Sequence, residues 1–131
     1  NINKQILSEP IMAQKYIPEI VNGDRRIILI DGEYAGSVSR IPQKNNIKAN
    51  FHAGGAAMKT DLIRRDEEIC SALKQILKDK ELFFVGIDII GDYLTEINVT
   101  SPTGIKQINA LNNTQIEKLF WDKLETKYNI V

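Results

Sequence analysis

Twice in this chain an apolar, β-branched run meets a two-residue turn signal and reverses into a second run. The first instance is "RRIILIDGEYAGSVSRI", Arg25 to Ile41, pivoting at Asp31-Gly32. The second is "FVGIDIIGDYLTEINVTSPT", Phe84 to Thr103, pivoting at Gly91-Asp92. Such pairs read as β-hairpins, which commit the chain to an antiparallel sheet. Between and after them lie helical patterns. Thr60 or Asp61 caps an element whose Leu62, Ile69, Leu73, Ile76 and Leu77 share a face as far as Lys80. Ser101 at an N-cap with Pro102 at the first helical position opens a second helix. Thr114 and Glu117 make a capping box for a third, with Ile116, Leu119, Phe120, Leu124 and Tyr128 as its buried stripe. The expected fold class is α+β: an antiparallel sheet of hairpins with helices packed on one side.

The chain's 131 residues suit one domain spanning 1–131. The sequence starts without methionine, and Ile2 to Ile11 reads as a strand already under way, so we expect a piece of a longer polypeptide. Pro10 to Ile20 reads as a strand entering a proline-punctuated hinge. Pro42 to Met58 has no period and is long for a connection, which suggests a mobile lid loop within the domain.

Seventeen basic and seventeen acidic side chains cancel, which removes the footprint of a nucleic-acid or anionic-membrane binder. The longest apolar run, Leu82 to Ile90, is interrupted by Asp88 and is far short of the roughly 20 residues of a membrane helix. A single cysteine, Cys70, excludes an internal disulfide, suits a reducing, cytoplasmic setting, and has no basic or histidine neighbour to activate it. The charged runs Arg64 to Glu68 and Lys78 to Glu81 read as solvated helix faces.

The second hairpin carries Asp88, Glu96 and Asn98 among isoleucines and valines. Burying unpaired carboxylates is costly, so such residues call for a cation or a hydrogen-bond network. Glu96 and Asn98, two apart on a strand, face the same side and supply oxygens suited to Mg²⁺, an ion that completes its shell with waters and phosphate oxygens. An edge hairpin with its polar side chains in solvent is the competing reading, equally weighted on these residues alone. With a strict two-residue turn, Asp88 would pair with Thr95 and face away from Glu96. A shared metal site therefore requires an odd-length connection or a β-bulge. Unmetallated, the cluster should repel itself and raise at least one carboxylate pKa. The adjoining "VTSPTGI" ends a strand in hydroxyls and free backbone N–H groups, a place for an anion or simply a well-capped helix.

Together, "GIDIIGDYLTEINVTSPTGI", "MAQKYIPEIVNGDRRIILIDGE" and "SRIP" followed by "NFHAGG" resemble, in order and spacing, the prokaryotic glutathione synthetases, which are ATP-grasp ligases. The likeness is greater than to D-alanine–D-alanine ligases or peptide-tail glutamate ligases. It covers nearly the whole chain and corresponds to the C-terminal part of the enzyme, the N-terminal domain and its nucleotide-binding lysines lying outside. The resemblance implies a ligase that uses ATP as co-substrate, with Mg²⁺ or Mn²⁺, to join γ-glutamylcysteine to glycine through an acyl phosphate. It implies Asp88, Glu96 and Asn98 as metal ligands. Gln14, Lys15, Tyr16 and Ile17 would meet the adenine, with Asp24 near the ribose. Arg26 and Arg40 would be catalytic, facing phosphates or dipeptide. Asn50, Ser101 and Thr103 would contact substrate, Asn50 from the lid. Members of the family tend to form homo-oligomers, and this segment alone should not turn over.

Some positions depart from the family. Lys48 stands where an arginine is usual, "GGAAMK" replaces a "GGRGE"-like run, "GEYAGSVSR" is one residue shorter, and Gly104 replaces a frequent cysteine. His52 lies in the lid loop where alanine is common and reads as solvated. Two other readings stand beside this one: another ATP-grasp ligase with a different acceptor, and a non-catalytic α+β interaction module. The ligase reading alone needs Asp88, Glu96 and Asn98 to converge.

Overall fold

The computed structural model describes residues 10, 13–42 and 56–130. Strands β1 (Asp24–Ile30) and β2 (Glu33–Ile41) form the first hairpin, and β4 (Phe84–Ile90) and β5 (Tyr93–Asn98) the second. A short β3 (Ala56–Met58) completes a five-stranded sheet in the order β3-β2-β1-β4-β5, with every pairing antiparallel. The helices are α1 (Arg64–Asp79), α2 (Ile105–Asn112) and α3 (Ile116–Tyr128), and a 3₁₀ turn (Pro18–Asn22) precedes β1. The expected loop of 42–58 is thus shortened at its end, because 56–58 pairs with β2; positions 43–55, with Asn50 and His52, lie outside the described residues, as does the strand expected over Ile2–Ile11 except for Pro10.

Both hairpins turn in two residues. Asp31 and Gly32 adopt φ of 51° and 73°, the left-handed pair that matches strand twist, whereas Gly91 alone is left-handed, at 55°, in the second turn. Both carry an extra residue three positions beyond the turn: Ala35 in β2 and Thr95 in β5. These bulges displace the pairing by one residue.

The α+β antiparallel class is as read, with one correction: helices cover both faces of the sheet rather than one. Alternate residues of β1 divide between two cores, as strand geometry demands. Ile27 and Leu29 join Val85, Ile87 and Ile89 beneath Ile69, Cys70 and Leu77 of α1. Ile28 and Ile30 join Val38, Ile108 and Ile116 beneath α2 and α3. The close approach of α2 and α3 depends on Gly36, where a Cβ would stand 2.6 Å from Ile108 Cγ2 and 3.0 Å from Ile116 Cδ1.

The helix signals were right in kind and displaced in detail. α1 is capped by Asp66, whose carboxylate accepts the Ile63 N–H at 3.1 Å, rather than by Thr60 or Asp61. Ile76 is half exposed, and Cys70 takes its place in the stripe. Nor is Arg64 to Glu68 wholly solvated, because Asp66 is fully buried. The helix expected from Ser101 and Pro102 begins only at Ile105, with Gly104 at its N-cap. Thr114 and Glu117 form no capping box. Asn109 serves instead, accepting the Ile116 N–H at 3.0 Å and the Thr114 hydroxyl at 3.1 Å while donating to Glu117 at 2.5 Å. Tyr128 is exposed, whereas Phe120 is wedged edge-on against Phe83 and Phe84 with centroids 5.3 and 5.5 Å away. Among the described residues, no helix is long and apolar enough to cross a membrane.

Candidate functional site

On the sheet face shared with α2 and α3, the apolar pattern of β1, β2 and β4 gives way to charge at one end. Register places the charges side by side. Asp24 lies opposite Arg40, Arg26 opposite Asp88, and Asp88 opposite Glu96, so five charged residues cross four strands on a single face. Asp24, Arg26, Arg40 and Asp88 are each no more than 6% exposed.

Burial of four charges is tolerable only with full pairing. Arg40 grips Asp24 with both Nε, at 2.9 Å, and Nη2, and Nη2 also lies 2.9 Å from Asp88 Oδ2. Arg26 grips Asp88 with Nε to Oδ1 and Nη2 to Oδ2, the latter at 2.7 Å, and donates Nη1 to the Thr103 carbonyl at 3.0 Å. Each arginine fork thus meets a carboxylate in the two-pronged geometry that a lysine cannot supply. Among the described residues no buried side-chain nitrogen or oxygen is left without a partner.

This pairing reverses one expectation. Burial alone would push the Asp88 carboxyl up, but the hydrogen bond from Arg26 and the charges of Arg40 and Arg26 hold it below the usual carboxylate range. For Arg40, burial disfavours the charge, and the Asp24 hydrogen bond together with the Asp88 and Asp24 charges outweighs it, raising the pKa. Asp88 is therefore a paired anion rather than the protonated member of a repelling cluster. The two arginines that achieve this were read as facing ligand only.

Register brings the three residues expected to hold a cation onto one face. The bulge at Thr95 sets Asp88 opposite Glu96 and Gly86 opposite Asn98, so the three side chains share a face. Glu96 is exposed on the edge strand, with Asn98 Nδ2 3.4 Å from its Oε2. Among the described residues three N–H groups reach the Asp88 carboxylate. Two carboxylates and an amide oxygen are a hard donor set of the kind Mg²⁺ takes when phosphates complete the shell. Among the described residues no three His, Cys, Asp or Glu side chains gather as a metal cluster.

The remaining candidates fall around this group. Asp24, expected near a ribose, is committed to Arg40. Gln14, Lys15 and Tyr16 are exposed in irregular backbone, with Ile17 half-buried where the 3₁₀ turn begins. Ser101 and Thr103 are exposed on either side of a buried Pro102. Pro102 rests on Gly86, where a Cβ would come within 2.6 Å of the proline Cβ. The Ser-Pro-Thr segment is thereby held over β4, with Arg26 fastening it through the Thr103 carbonyl.

Adjacent to Arg26, Arg25 points to the opposite face. It meets the buried Asp66 of α1, with Nε to Oδ2 at 2.9 Å and Nη2 to Oδ1 at 2.8 Å, and donates Nη2 to the Gly91 carbonyl at 2.7 Å. Asp66 was missed because its neighbours Arg64 and Glu68 are solvated; its signal was the three-residue spacing from Ile63 that suits an N3 carboxylate.

Comparison with known proteins identifies the family. The family model described as prokaryotic glutathione synthetase, ATP-grasp domain, matches residues 1–113. The glutathione synthetase of Agrobacterium fabrum is 46% identical over 123 residues, covering 94% of this chain and 39% of that protein. That of Rhodopseudomonas palustris is 49% identical over 119 residues, covering 91% of the chain and 38% of that protein. That of Synechococcus elongatus is 50% identical over 107 residues, covering 82% and 33%. The chain thus spans well under half the length of these relatives.

Proposed function

This chain belongs to the prokaryotic glutathione synthetase ATP-grasp domain family, and on that premise we propose that it forms part of a ligase joining γ-glutamylcysteine to glycine with ATP and Mg²⁺. One observation carries the reading: Asp88, Glu96 and Asn98 share one sheet face beside Arg26 and Arg40. In the reaction, a carboxylate oxygen of the dipeptide attacks the γ-phosphorus of ATP and ADP leaves. The glycine amine then attacks the acyl carbon of the resulting acyl phosphate, inorganic phosphate departs with the C–O bond electrons, and the amine loses a proton. The metal, held by Asp88, Glu96 and Asn98, would neutralise charge on the phosphate oxygens; Mn²⁺ suits the same donors. Little covalent help is needed from the protein in phosphoryl transfer, so what the residues supply is position and charge.

In this reading Arg26 and Arg40 would meet the transferred phosphoryl group, and Asp24, which holds the Arg40 guanidinium, would stand near the ribose. The Gln14–Ile17 segment, exposed but for the half-buried Ile17, would offer backbone groups to an adenine. The Ser101 and Thr103 hydroxyls, fastened over β4, offer donors to a substrate carboxylate. The rest of the nucleotide cleft comes from the remainder of the parent chain, and a single buried thiol fits a cytoplasmic setting.

The test is phosphate release by the full-length parent enzyme with γ-glutamylcysteine. Release should need ATP, Mg²⁺ and glycine together and yield glutathione by mass. Release without γ-glutamylcysteine, or a preference for another amine, would replace this substrate assignment.

A further inference from the structure

Leu94 and Glu96 are two residues apart on β5 and in a regular strand would face the same way. They do not. Leu94 packs into the core beneath α1, opposite Ile89, whereas Glu96 lies on the other face, opposite Asp88. Thr95, the extra residue of the bulge, makes both placements compatible, and its own hydroxyl donates to the Asp88 carbonyl at 3.0 Å. The preceding turn is braced from outside. Arg25, itself locked by Asp66, donates to the Gly91 carbonyl, and Arg65 Nε donates to the Asp92 carbonyl at 3.1 Å. A Cβ on Gly91 would stand 3.1 Å from Glu19 Cγ, so the turn also abuts the 3₁₀ turn that follows the Gln14–Ile17 segment.

From this arrangement we propose that Thr95 is a positioning residue for cation binding: its hydroxyl locks the bulge that holds Glu96 opposite Asp88, with Arg25 and Arg65 as the outer braces of the turn. The proposal rests on the cation reading of Asp88, Glu96 and Asn98. Ladder hydrogen bonds are interrupted at a bulge, so the tie from the extra residue across to β4 stands where regular pairing is missing. Regular pairing from the same turn would put Thr95 opposite Asp88 and swing Glu96 to the α1 face. The hydroxyl bond opposes that slip and the braces keep the turn from following it.

The test uses the full-length parent enzyme with Mn²⁺ and a non-hydrolysable ATP analogue, free and bound Mn²⁺ being separated by electron paramagnetic resonance. Thr95→Val keeps the shape and removes the hydroxyl; it should weaken Mn²⁺ binding by roughly 3- to 10-fold, the range of one lost hydrogen bond. Amide exchange over 93–97 should quicken. Thr95→Ser should restore both. A Thr95→Val enzyme with a lowered melting temperature but unchanged Mn²⁺ affinity overturns the proposal, since a merely structural residue would behave in that way. Should that variant not fold, Arg65→Ala takes its place, because it removes an outer brace from a half-exposed side chain. Weakened Mn²⁺ binding then supports the proposal, and unchanged binding overturns it. Wild-type enzyme that binds no Mn²⁺ with the analogue is a different failure, of the cation reading itself.

Discussion

Replacing Asp88 with asparagine separates the electrostatics of the buried cluster from its shape. The native group holds two carboxylates and two guanidinium ions, Asp24, Asp88, Arg26 and Arg40, all nearly excluded from water. The substituted side chain would keep one acceptor oxygen, point an amide N–H₂ at two guanidinium groups and leave the cluster with an uncompensated positive charge. Removing one partner of a buried pair costs about 3–5 kcal/mol, and because Asp88 is 4% exposed solvent screening offers little relief. Against a typical domain stability of about 5–15 kcal/mol this is a large loss. Urea unfolding of the full-length parent enzyme at pH 7 reads it directly.

The same substitution carries a pH signature. The Asp88 carboxyl titrates below its usual range in the folded protein, so the unfolded chain binds more protons than the folded one near the unfolded pKa. Its contribution is complete above the unfolded value of about 3.9 and is lost as pH falls through the folded value. The gap between wild type and Asp88→Asn should therefore be level from neutral pH down to about 5 and narrow below about 4. Equal midpoints at pH 7, or a gap that widens in acid, would refute the account of Asp88 as an anion held by Arg26 and Arg40.

Arg26→Ala in the parent enzyme should lower kcat/KM by roughly 10²–10³-fold, the usual loss for a donor aimed at developing charge. Removing a buried partner of Asp88 should also lower the melting temperature; activity within a few fold of wild type would take Arg26 out of the site. Gly86→Ala should cost about 1–3 kcal/mol by overpacking and lift the Ser-Pro-Thr segment. An unchanged urea midpoint together with unchanged KM values would contradict that contact. Burial pushes the Cys70 thiol up to about 11, so native protein should label slowly with an aromatic disulfide at pH 8 and rapidly once unfolded. Comparable rates in the two states would show that the thiol is accessible.

Much of this was legible in the sequence because the signals were local. Turn pairs at Asp31-Gly32 and Gly91-Asp92 mark hairpins within a few residues, and the apolar runs of β1 and β4 stay regular because the bulges fall in β2 and β5. The convergence of Asp88 with Glu96 was legible only conditionally, as a demand for an odd residue, which the structure meets at Thr95. What escaped were consequences of long-range pairing. A run such as Ile27–Ile30 is buried on both faces, and nothing local says which helix takes which face, hence the expectation of helices on one side only. Asp66 and Asn109 escaped for the same reason, since each is committed to a partner far away or to the neighbouring helix. The helix start at Ser101 was misplaced because Pro102 is held against Gly86, a contact 16 positions back along the chain that outweighs local capping preference.

The adjacent arginines of β1 show how such distant commitments are divided between fold and site. Period-2 geometry sends Arg25 and Arg26 to opposite faces, so two identical side chains meet different carboxylates, Asp66 and Asp88. Arg25 ties α1 to the β4–β5 turn; Arg26 ties β4 to the segment that leads into α2. Both act on the second hairpin, one on its turn and one on its strand. Because a single strand carries both ties, movement of β1 along its axis would disturb the turn and the Asp88 carboxylate together. A strand slip that preserved the apolar pairing would break Arg25–Asp66 and Arg26–Asp88 at once. The two ion pairs therefore specify register as much as they neutralise charge, which gives the buried cluster a structural reason to exist beside its proposed role toward phosphate.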